Sequence, residues 1–419
     1  MTTLQDSLEE LLQKQLPRNA LQRLILKKLA EAGLDSDEHL AFQIADHFIS
    51  GSEQPFSWDD GRQSNRTIDF SFSEQDFAEL DRNYVALTAE LPRIWDETSD
   101  AAAKILLRSL KRRWNDEFKL QRGETDQFRS NLEMRWGKPL GLLRMLLTCS
   151  REMGSAIAGN AERSKSNLAA VLTRLHIRAC QVTAEIIVLL ENGYADGAMA
   201  RWRTLHEISV VMLVLREYGE PIAERYLNHR DVESKNGSDQ YAKCHADLGY
   251  KAMPSAEVRA IEKRYEEKIK KYGPSFRHPY GWASGFVGTA SRRLNWNDLE
   301  EVAGRSFMRS HYKLASYNVH AGPHALYFRL GLIEDSGFLA GCSNAGLSEP
   351  GQNTAVTFAL ISNVLMEDYE SFEDLMSLKT LDLIMNEIPR AFAAAENRLK
   401  RDHARISRQS LPSTLNNLR

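Results

Sequence analysis

Proline and glycine are scarce in this chain. Its 419 residues include 12 prolines and 24 glycines, which is too few for the closely spaced turns of a β-sandwich or a β-barrel. Long apolar runs are also missing, because the longest one, from Ile208 to Leu215, falls far short of the ~20 residues of a membrane-spanning helix. The composition therefore favours a helical protein that does not cross a membrane.

Cysteine is equally sparse. The cysteines lie tens of residues apart and form no C-x-x-C pair, so the sequence indicates neither a zinc ribbon nor a disulfide framework. The N-terminus carries Asp6, Glu9 and Glu10, where a secretion signal would need a basic start and an apolar centre. We therefore expect a cytoplasmic protein. The cysteines are Cys149, Cys180, Cys244 and Cys342.

Neither sign of charge dominates the chain. The 54 Lys and Arg residues against 57 Asp and Glu residues leave a formal net charge of −3, which excludes a protein that coats polyanions along its whole length. The segment 104–122 is a local exception, because Asp116 and Glu117 are its only acidic residues beside seven basic ones. It is predicted to contact RNA or, alternatively, to form a solvated helix face. Its basic residues are Lys104, Arg108, Lys111, Arg112, Arg113, Lys119 and Arg122.

Apolar residues recur at intervals of three and four along most of the chain. Leu21, Leu24 and Ile25 are an example, and this is the period of an amphipathic helix. The pattern predicts an all-α fold, a multi-helix bundle with an N-terminal helical region and a partly irregular insert. The predicted parts are an N-terminal region at 1–145, a bundle at 150–405, an insert at 236–297 and a polar tail at 406–419.

The clearest local prediction is an αα-hairpin. One periodic segment runs from Ser166 to Glu191 and a second from Ala195 to Tyr218, with Asn192-Gly193 between them. A glycine just past the end of a helix allows the chain to reverse. The two segments are therefore expected to pack as antiparallel helices.

The second helix of this hairpin carries Arg203, His206 and Glu207. Their spacing of three and four places them on one helix face, within a segment so apolar that charged groups need partners. Glu185 lies eight residues before Gly193 and Arg203 lies eight after Ala195, which predicts a buried Glu185–Arg203 salt bridge. The alternatives are a structural lock, a functional cluster or an exposed face.

A later segment is predicted to be one helix whose face bears Ser316, His320 and His324, with Tyr317 beside them. Histidine titrates near neutrality and serves as a general acid or base, although a lone helical histidine is more often structural. His229 belongs to a third polar group, for which the same two interpretations stand.

Four segments carry a resemblance to a known family. They are 193–211, 225–234, the turn Tyr280-Gly281-Trp282-Ala283, and 315–321. Together they resemble an uncharacterised bacterial family, domain of unknown function 5677, over roughly residues 165–340. This resemblance implies a shared structure and a shared site, but it names no reaction.

The hairpin, followed by a later segment bearing histidine, is also distantly similar to the helical HEPN ribonucleases and toxins. Their signature is arginine followed by histidine after four to six residues. The sequence departs from this signature at His320, where Ser316 stands four residues earlier and no arginine lies four to six residues before. The signature occurs at Arg201/His206, Arg305/His311 and Arg398/His403.

Motifs for metals and phosphates are missing. The pair His206-Glu207 is not followed by a second histidine at the spacing of an H-E-x-x-H zinc motif, and no glycine-rich phosphate loop occurs. We therefore predict no metal and no cofactor. One alternative stays open, a metal site assembled across helices from His206, Glu207 and His320.

The function implied by the distant HEPN resemblance is a metal-independent ribonuclease or toxin, in bacterial phage defence. Arg203 would stabilise phosphate charge, His320 would act as general base or acid, and Glu207 or Glu185 would orient them. RNA is the expected partner, no membrane is expected, and a homodimer is a candidate assembly. The alternative is a noncatalytic helical module that binds a nucleotide or a partner protein through the same residues.

Overall fold

The computed structural model describes residues 4–34, 37–52, 54–58, 67, 69, 71–161, 165–288, 293–333, 338–366 and 371–410. Within these ranges the regular secondary structure is helical, apart from an isolated bridge between Ser284 and Val287. The all-α prediction is confirmed for this part of the chain. The α-helices are α1 (Leu4–Glu31), α2 (Glu38–Ile49), α3 (Glu74–Ala161), α4 (Asn167–Glu191), α5 (Ala195–Asn228), α6 (Arg230–Cys244), α7 (Ser255–Tyr272), α8 (Trp296–Val302), α9 (Arg309–Tyr317), α10 (His324–Tyr327), α11 (Ser348–Leu365) and α12 (Phe372–Ser410).

The chain divides into two compact units, Met1–Gln121 and Arg122–Arg419. The first unit holds α1, α2 and the first part of α3. Its core forms where α1 packs on α2, and the side chain of Asp37 caps α2 by accepting the backbone N–H of His39. Such a cap satisfies one of the free amides at a helix start. The apolar residues of this core are Ile25, Leu29, Leu40, Ala41, Ile44 and Ala45.

The basic segment 104–122 lies within α3. Most of its side chains are exposed, and two of its lysines form ion pairs one helix turn away, Lys104 with Asp100 and Lys119 with Asp116. These contacts fit the solvated-face alternative, and contact with RNA stays a prediction.

The second unit is a helical bundle. The last part of α3, the α4–α5 hairpin, α11 and α12 surround one apolar core. Residues 132–147 of α3 belong to this core, so the boundary suggested by the sequence near residue 145 lies inside a continuous helix. The tail predicted at 406–419 is helical as far as Ser410, and residues 411–419 lie outside the described ranges. Among the largest fully buried side chains are Trp136, Trp202, Phe358 and Phe392.

The predicted hairpin is confirmed. Ser166 caps α4, its hydroxyl accepting the backbone N–H of Ala169 at 3.0 Å. Gly193 makes the turn with a φ of +75°. A Cβ atom there would come within 2.6 Å of both the Ser343 carbonyl oxygen and the Phe128 ring. Only glycine fits this turn without strain.

Gly193→Ala is expected to lower the free energy of unfolding by about 1–3 kcal/mol, the usual range for one strained backbone position. Gly197→Ala is the matched control, because Gly197 is exposed on α5 and a Cβ there would meet Leu189 at an ordinary 3.5 Å. Alanine in a helix interior should be neutral or stabilising. Urea melts of both variants test this, and equal midpoints would contradict it.

The predicted insert at 236–297 is an integral part of the bundle. It contains most of α6, α7, and the short 3-10 turns Pro274–Arg277 and Gly281–Ala283. Phe276 and Trp282 from these turns are buried in the main core. The irregular chain therefore covers one side of α5 and positions aromatic side chains there.

Candidate active site

Four side chains from α5, α9 and the segment after α9 meet at one place. Arg203 and Glu207 lie one turn apart on α5, and the Arg203 Nε donates to Glu207 Oε1 at 3.1 Å. The Arg203 Nη1 lies 3.4 Å from His320 Nε2. The hydroxyl of Tyr312 donates to Glu207 Oε1 at 2.6 Å, and the Arg203 guanidinium lies 4.7 Å from the centroid of the Tyr312 ring. The structure therefore brings together the three residues proposed as catalytic from the sequence.

Tyr312 contacts both charged groups of the cluster, the Glu207 carboxylate and the Arg203 guanidinium. Burial raises the pKa of the Tyr312 hydroxyl and the Glu207 carboxylate raises it further, so the phenol stays neutral and donates its hydrogen. Burial lowers the pKa of Arg203, but the contacts with Tyr312 and Glu207 more than offset this and the net pKa is raised. A permanent cation with a fixed orientation thus lies beside His320.

His320 itself lies in an exposed position. Its Nε2 faces the N–H donors of Arg203, so the geometry favours the tautomer in which Nε2 carries the lone pair. An imidazole nitrogen of this kind can take up a proton. Because that lone pair faces the Arg203 N–H here, His320 can accept a proton only from a ligand that takes over this N–H group.

Two aromatic side chains, Trp296 and Tyr280, form an aromatic wall beside Tyr312 and the rest of the cluster. The ring of Trp296 stacks on Tyr312, with centroids 5.6 Å apart and an interplanar angle of 23°. Tyr280 lies 6.2 Å from Trp296, and burial, together with the Glu207 carboxylate, raises its pKa. Arg225 fixes the turn that carries Tyr280 by donating to the carbonyls of Trp282 at 2.9 Å and Gly281 at 3.0 Å.

Tyr312 and Trp296 were not among the residues selected from the sequence. One signal for Tyr312 was available, since it lies one helix turn before Ser316, on the face already suspected. The Ser316 hydroxyl donates to the Tyr312 carbonyl at 2.8 Å, which is the same one-turn relation. Trp296 lies on α8 and gave no sequence signal.

The predicted Glu185–Arg203 salt bridge is wrong. Glu185 pairs with Arg201 instead, and both side chains are about a third exposed, at 39% and 30%. Equal height above a turn does not decide which face of a helix a residue occupies. Arg201 and Arg203 differ by two positions, about 200° around the helix, so only Arg201 faces α4.

His206 does not contact Arg203 or His320, but its ring packs on Tyr312, with centroids 5.5 Å apart. Its ring is fully buried and its Nε2 donates to Glu300 Oε1 at 3.1 Å. The second oxygen of Glu300 accepts from Arg309 at 2.9 Å. Burial lowers the pKa of His206, so the ring is neutral. His206 links α5 to α8 and α9 and supports Tyr312 from behind its ring.

The predicted helix face bearing Ser316, His320 and His324 is interrupted. Helix α9 ends at Tyr317 and α10 begins only at His324, and Gly322-Pro323 lies between them, where the proline cannot continue the hydrogen bonds of a helix. The ring of Tyr317 packs on His324 with centroids 4.3 Å apart. These two residues hold the segment together, and His320 projects from it.

His229 lies away from the cluster. It is 3% exposed, and its Nε2 bonds to the carbonyls of Phe276 at 3.1 Å and His278 at 2.9 Å. It therefore anchors the turn of the insert that carries Tyr280, and its supporting role at the site stays a prediction.

In each of the three arginine–histidine pairs with HEPN spacing, the arginine and the histidine contact different partners. Arg201 binds Glu185 while His206 binds Glu300. In the second pair, Arg305 lies over Phe307 and His311 binds Glu349. In the third, Arg398 donates to the carbonyl of Arg135 and His403 lies near Ser407. Arg203 and His320, which lack this spacing, contact each other instead.

Two other kinds of feature are absent from the described ranges. No group of three or more His, Cys, Asp or Glu side chains is placed to hold a metal ion. No helix there is long and apolar enough to span a membrane.

Residues 169–338 match the model of a family of unknown function (DUF5677). The resemblance seen in the sequence is thereby confirmed for this segment, which contains all of the cluster residues. No curated protein and no solved structure matches the chain.

Proposed function

We propose that this protein is a metal-independent ribonuclease of HEPN type that acts as a toxin in bacterial phage defence. The observation that carries the proposal is the contact of the Arg203 guanidinium with the exposed His320 imidazole, 3.4 Å apart. A fixed cation beside a proton acceptor is the arrangement that phosphodiester cleavage needs. We further expect a cytoplasmic location, where RNA is available, and assembly as a homodimer.

The chemistry begins with a phosphodiester bound at Arg203. Two N–H groups of a guanidinium can bind two oxygens of one phosphate, and the Arg203 Nε is held in place by Glu207. The 2′-hydroxyl next to that phosphate then lies near His320, whose Nε2 takes its proton. The 2′-oxygen attacks phosphorus, the bond to the 5′-oxygen breaks, and His320 returns the proton to that oxygen. The products are a 2′,3′-cyclic phosphate and a free 5′-hydroxyl.

Glu207 and Tyr312 hold the arginine for this reaction. Glu207 neutralises part of the Arg203 charge before substrate binds, and the Tyr312 ring supports the guanidinium plane. The wall of Tyr280 and Trp296 offers aromatic surface next to the phosphate site. Single-stranded RNA is commonly recognised by stacking unpaired bases on such rings, so we propose single-stranded RNA as the substrate.

Arg203→Ala is expected to reduce RNA cleavage about 10²–10³-fold, the usual loss for one group that stabilises charge in the transition state. The free energy of unfolding should fall by less than about 1 kcal/mol, because the Arg203–Glu207 pair is partly exposed and such pairs contribute little. Cleavage of a labelled single-stranded RNA, with a thermal melt alongside, measures both effects.

Arg201→Ala is the matched control, because it removes the same side chain two residues away from the opposite helix face. It should cleave RNA at the parent rate. Equal loss of activity in both variants would show that neither arginine acts on the phosphate, and a parent protein that cleaves no RNA would overturn the proposed reaction.

A further inference from the structure

A cleft in the second unit, Arg122–Arg419, is lined by arginines. It has a volume of about 620 Å³ and lies between α3, α12 and the segment around Asn344, and none of the cluster residues described above lines it. This volume is within the usual range of ligand sites, about 300–1,000 Å³. The charged residues of its lining are Arg135, Arg398, Arg401, Asp402 and Arg405.

The positive charge of this cleft is only partly neutralised. Asp402 pairs with Arg135 at 2.9 Å. Arg398 donates to the carbonyl of Arg135 at 3.1 Å, and Arg401 to that of Asn397 at 3.3 Å. Within the described residues, Arg398, Arg401 and Arg405 have no carboxylate partner. Asp402, the acid of this lining, pairs with Arg135, so the other three guanidinium groups repel one another, and a bound anion relieves that repulsion.

The lining of the cleft is held in place by buried groups. The indole of Trp136 is fully buried and donates to the Asn344 Oδ1 at 2.7 Å and to the Asn344 carbonyl at 3.2 Å. Because Oδ1 accepts that hydrogen, the amide hydrogens on Nδ2 are what Asn344 can offer to a ligand. Asp402, which is half-exposed, pairs with the more buried Arg135, whose carbonyl accepts from Arg398. The donors of the cleft therefore do not depend on exposed side chains alone.

The spacing of the arginines indicates an extended anion. Arg398, Arg401 and Arg405 follow one another by three and four residues, so they share a face of α12 and span about 10 Å along its axis. A single phosphate is shorter than this row. No aromatic ring lines the cleft, so it offers no surface for stacking bases and would contact phosphates instead.

We propose that this cleft binds the sugar–phosphate backbone of single-stranded RNA, as a second contact that holds the strand apart from the residues that cleave it. The identification of RNA rests on the proposed ribonuclease function, whereas the anion site rests on the arginines themselves. Recognition through phosphates would be independent of base sequence and sensitive to salt.

The test compares RNA affinities in a background that cannot cleave. The full chain carrying His320→Ala is titrated into a short 5′-labelled polyuridine strand and followed by fluorescence anisotropy. Adding Arg401→Gln and Arg405→Gln should weaken binding about tenfold at low salt and reduce the slope of log K against log salt by about 1.4, or 0.7 for each lost phosphate contact. Both residues are exposed, so circular dichroism should show an unchanged fold.

The matched control adds Arg174→Gln and Arg178→Gln, which are exposed arginines with the same spacing on α4. This pair should leave affinity within about twofold, because it removes equal charge from another surface. The proposal is overturned if the two double variants bind RNA alike, or if the background chain binds no RNA. Loss of binding specific to the cleft variant would support it even if the parent cleaves nothing, and unchanged binding would overturn it even if the parent cleaves RNA.

Discussion

Replacing His320 with alanine is expected to reduce RNA cleavage about 10²–10⁴-fold, the contribution typical of a general acid or base. His320 is the group of the cluster that can take and return a proton, since Arg203 stays protonated and burial with the Glu207 contact raises the pKa of Tyr312. The measurement is the rate of cleavage of a labelled single-stranded RNA with saturating protein.

The same substitution should leave stability almost unchanged. His320 is exposed, and its side-chain contact with Arg203 is long at 3.4 Å, so its removal exposes no core and strands no buried charge. The melting temperature of His320→Ala is therefore expected to match that of the parent. His324→Ala is a useful comparison, because that ring packs on Tyr317 and Phe328 and should affect stability more than catalysis.

The outcomes separate the two classes of function. Loss of cleavage at unchanged stability supports the catalytic role. A parent that binds RNA or a nucleotide without cleaving it would identify a noncatalytic binding module, the alternative that the sequence left open. Loss of stability in His320→Ala would contradict the geometry described above, because it would require His320 to be part of the core.

Replacing Glu300 with alanine should, unlike His320→Ala, lower the stability of the protein. The Glu300 carboxylate is fully buried and binds both His206 and Arg309. Its loss would leave the His206 Nε2 hydrogen without an acceptor, in a ring whose Nδ1 already has no partner within the described residues, and would create a cavity. We expect the free energy of unfolding to fall by about 2–4 kcal/mol, as measured by urea denaturation.

Glu301→Ala is the control for this effect. Glu301 is the next residue of α8 and is exposed, so its truncation should change stability by no more than about 0.5 kcal/mol. If both variants unfolded at the same urea concentration, the buried network of Glu300 would not stabilise the bundle.

Local patterns were sufficient to predict the hairpin and one face of its second helix. The α4–α5 turn follows from the period of apolar residues on both sides of Asn192-Gly193, and the Arg203–Glu207 contact follows from a spacing of four residues within one helix. Both depend on neighbours in the sequence, where the helix geometry fixes which side chains are adjacent. The segment 315–321 was likewise recognised, but its break into α9 and a following turn was not.

The contacts that complete the site join residues far apart in the chain, and only the tertiary structure decided them. Glu207 and Tyr312 are 105 residues apart, and Arg203 and His320 are 117 apart. Glu185 pairs with Arg201 and not with Arg203. The rotation of α5 about its own axis decides which side chain faces α4, and the height of a residue above the turn does not determine that rotation. Local spacing thus determined which residues share a helix face, while the packing of whole helices determined which faces meet.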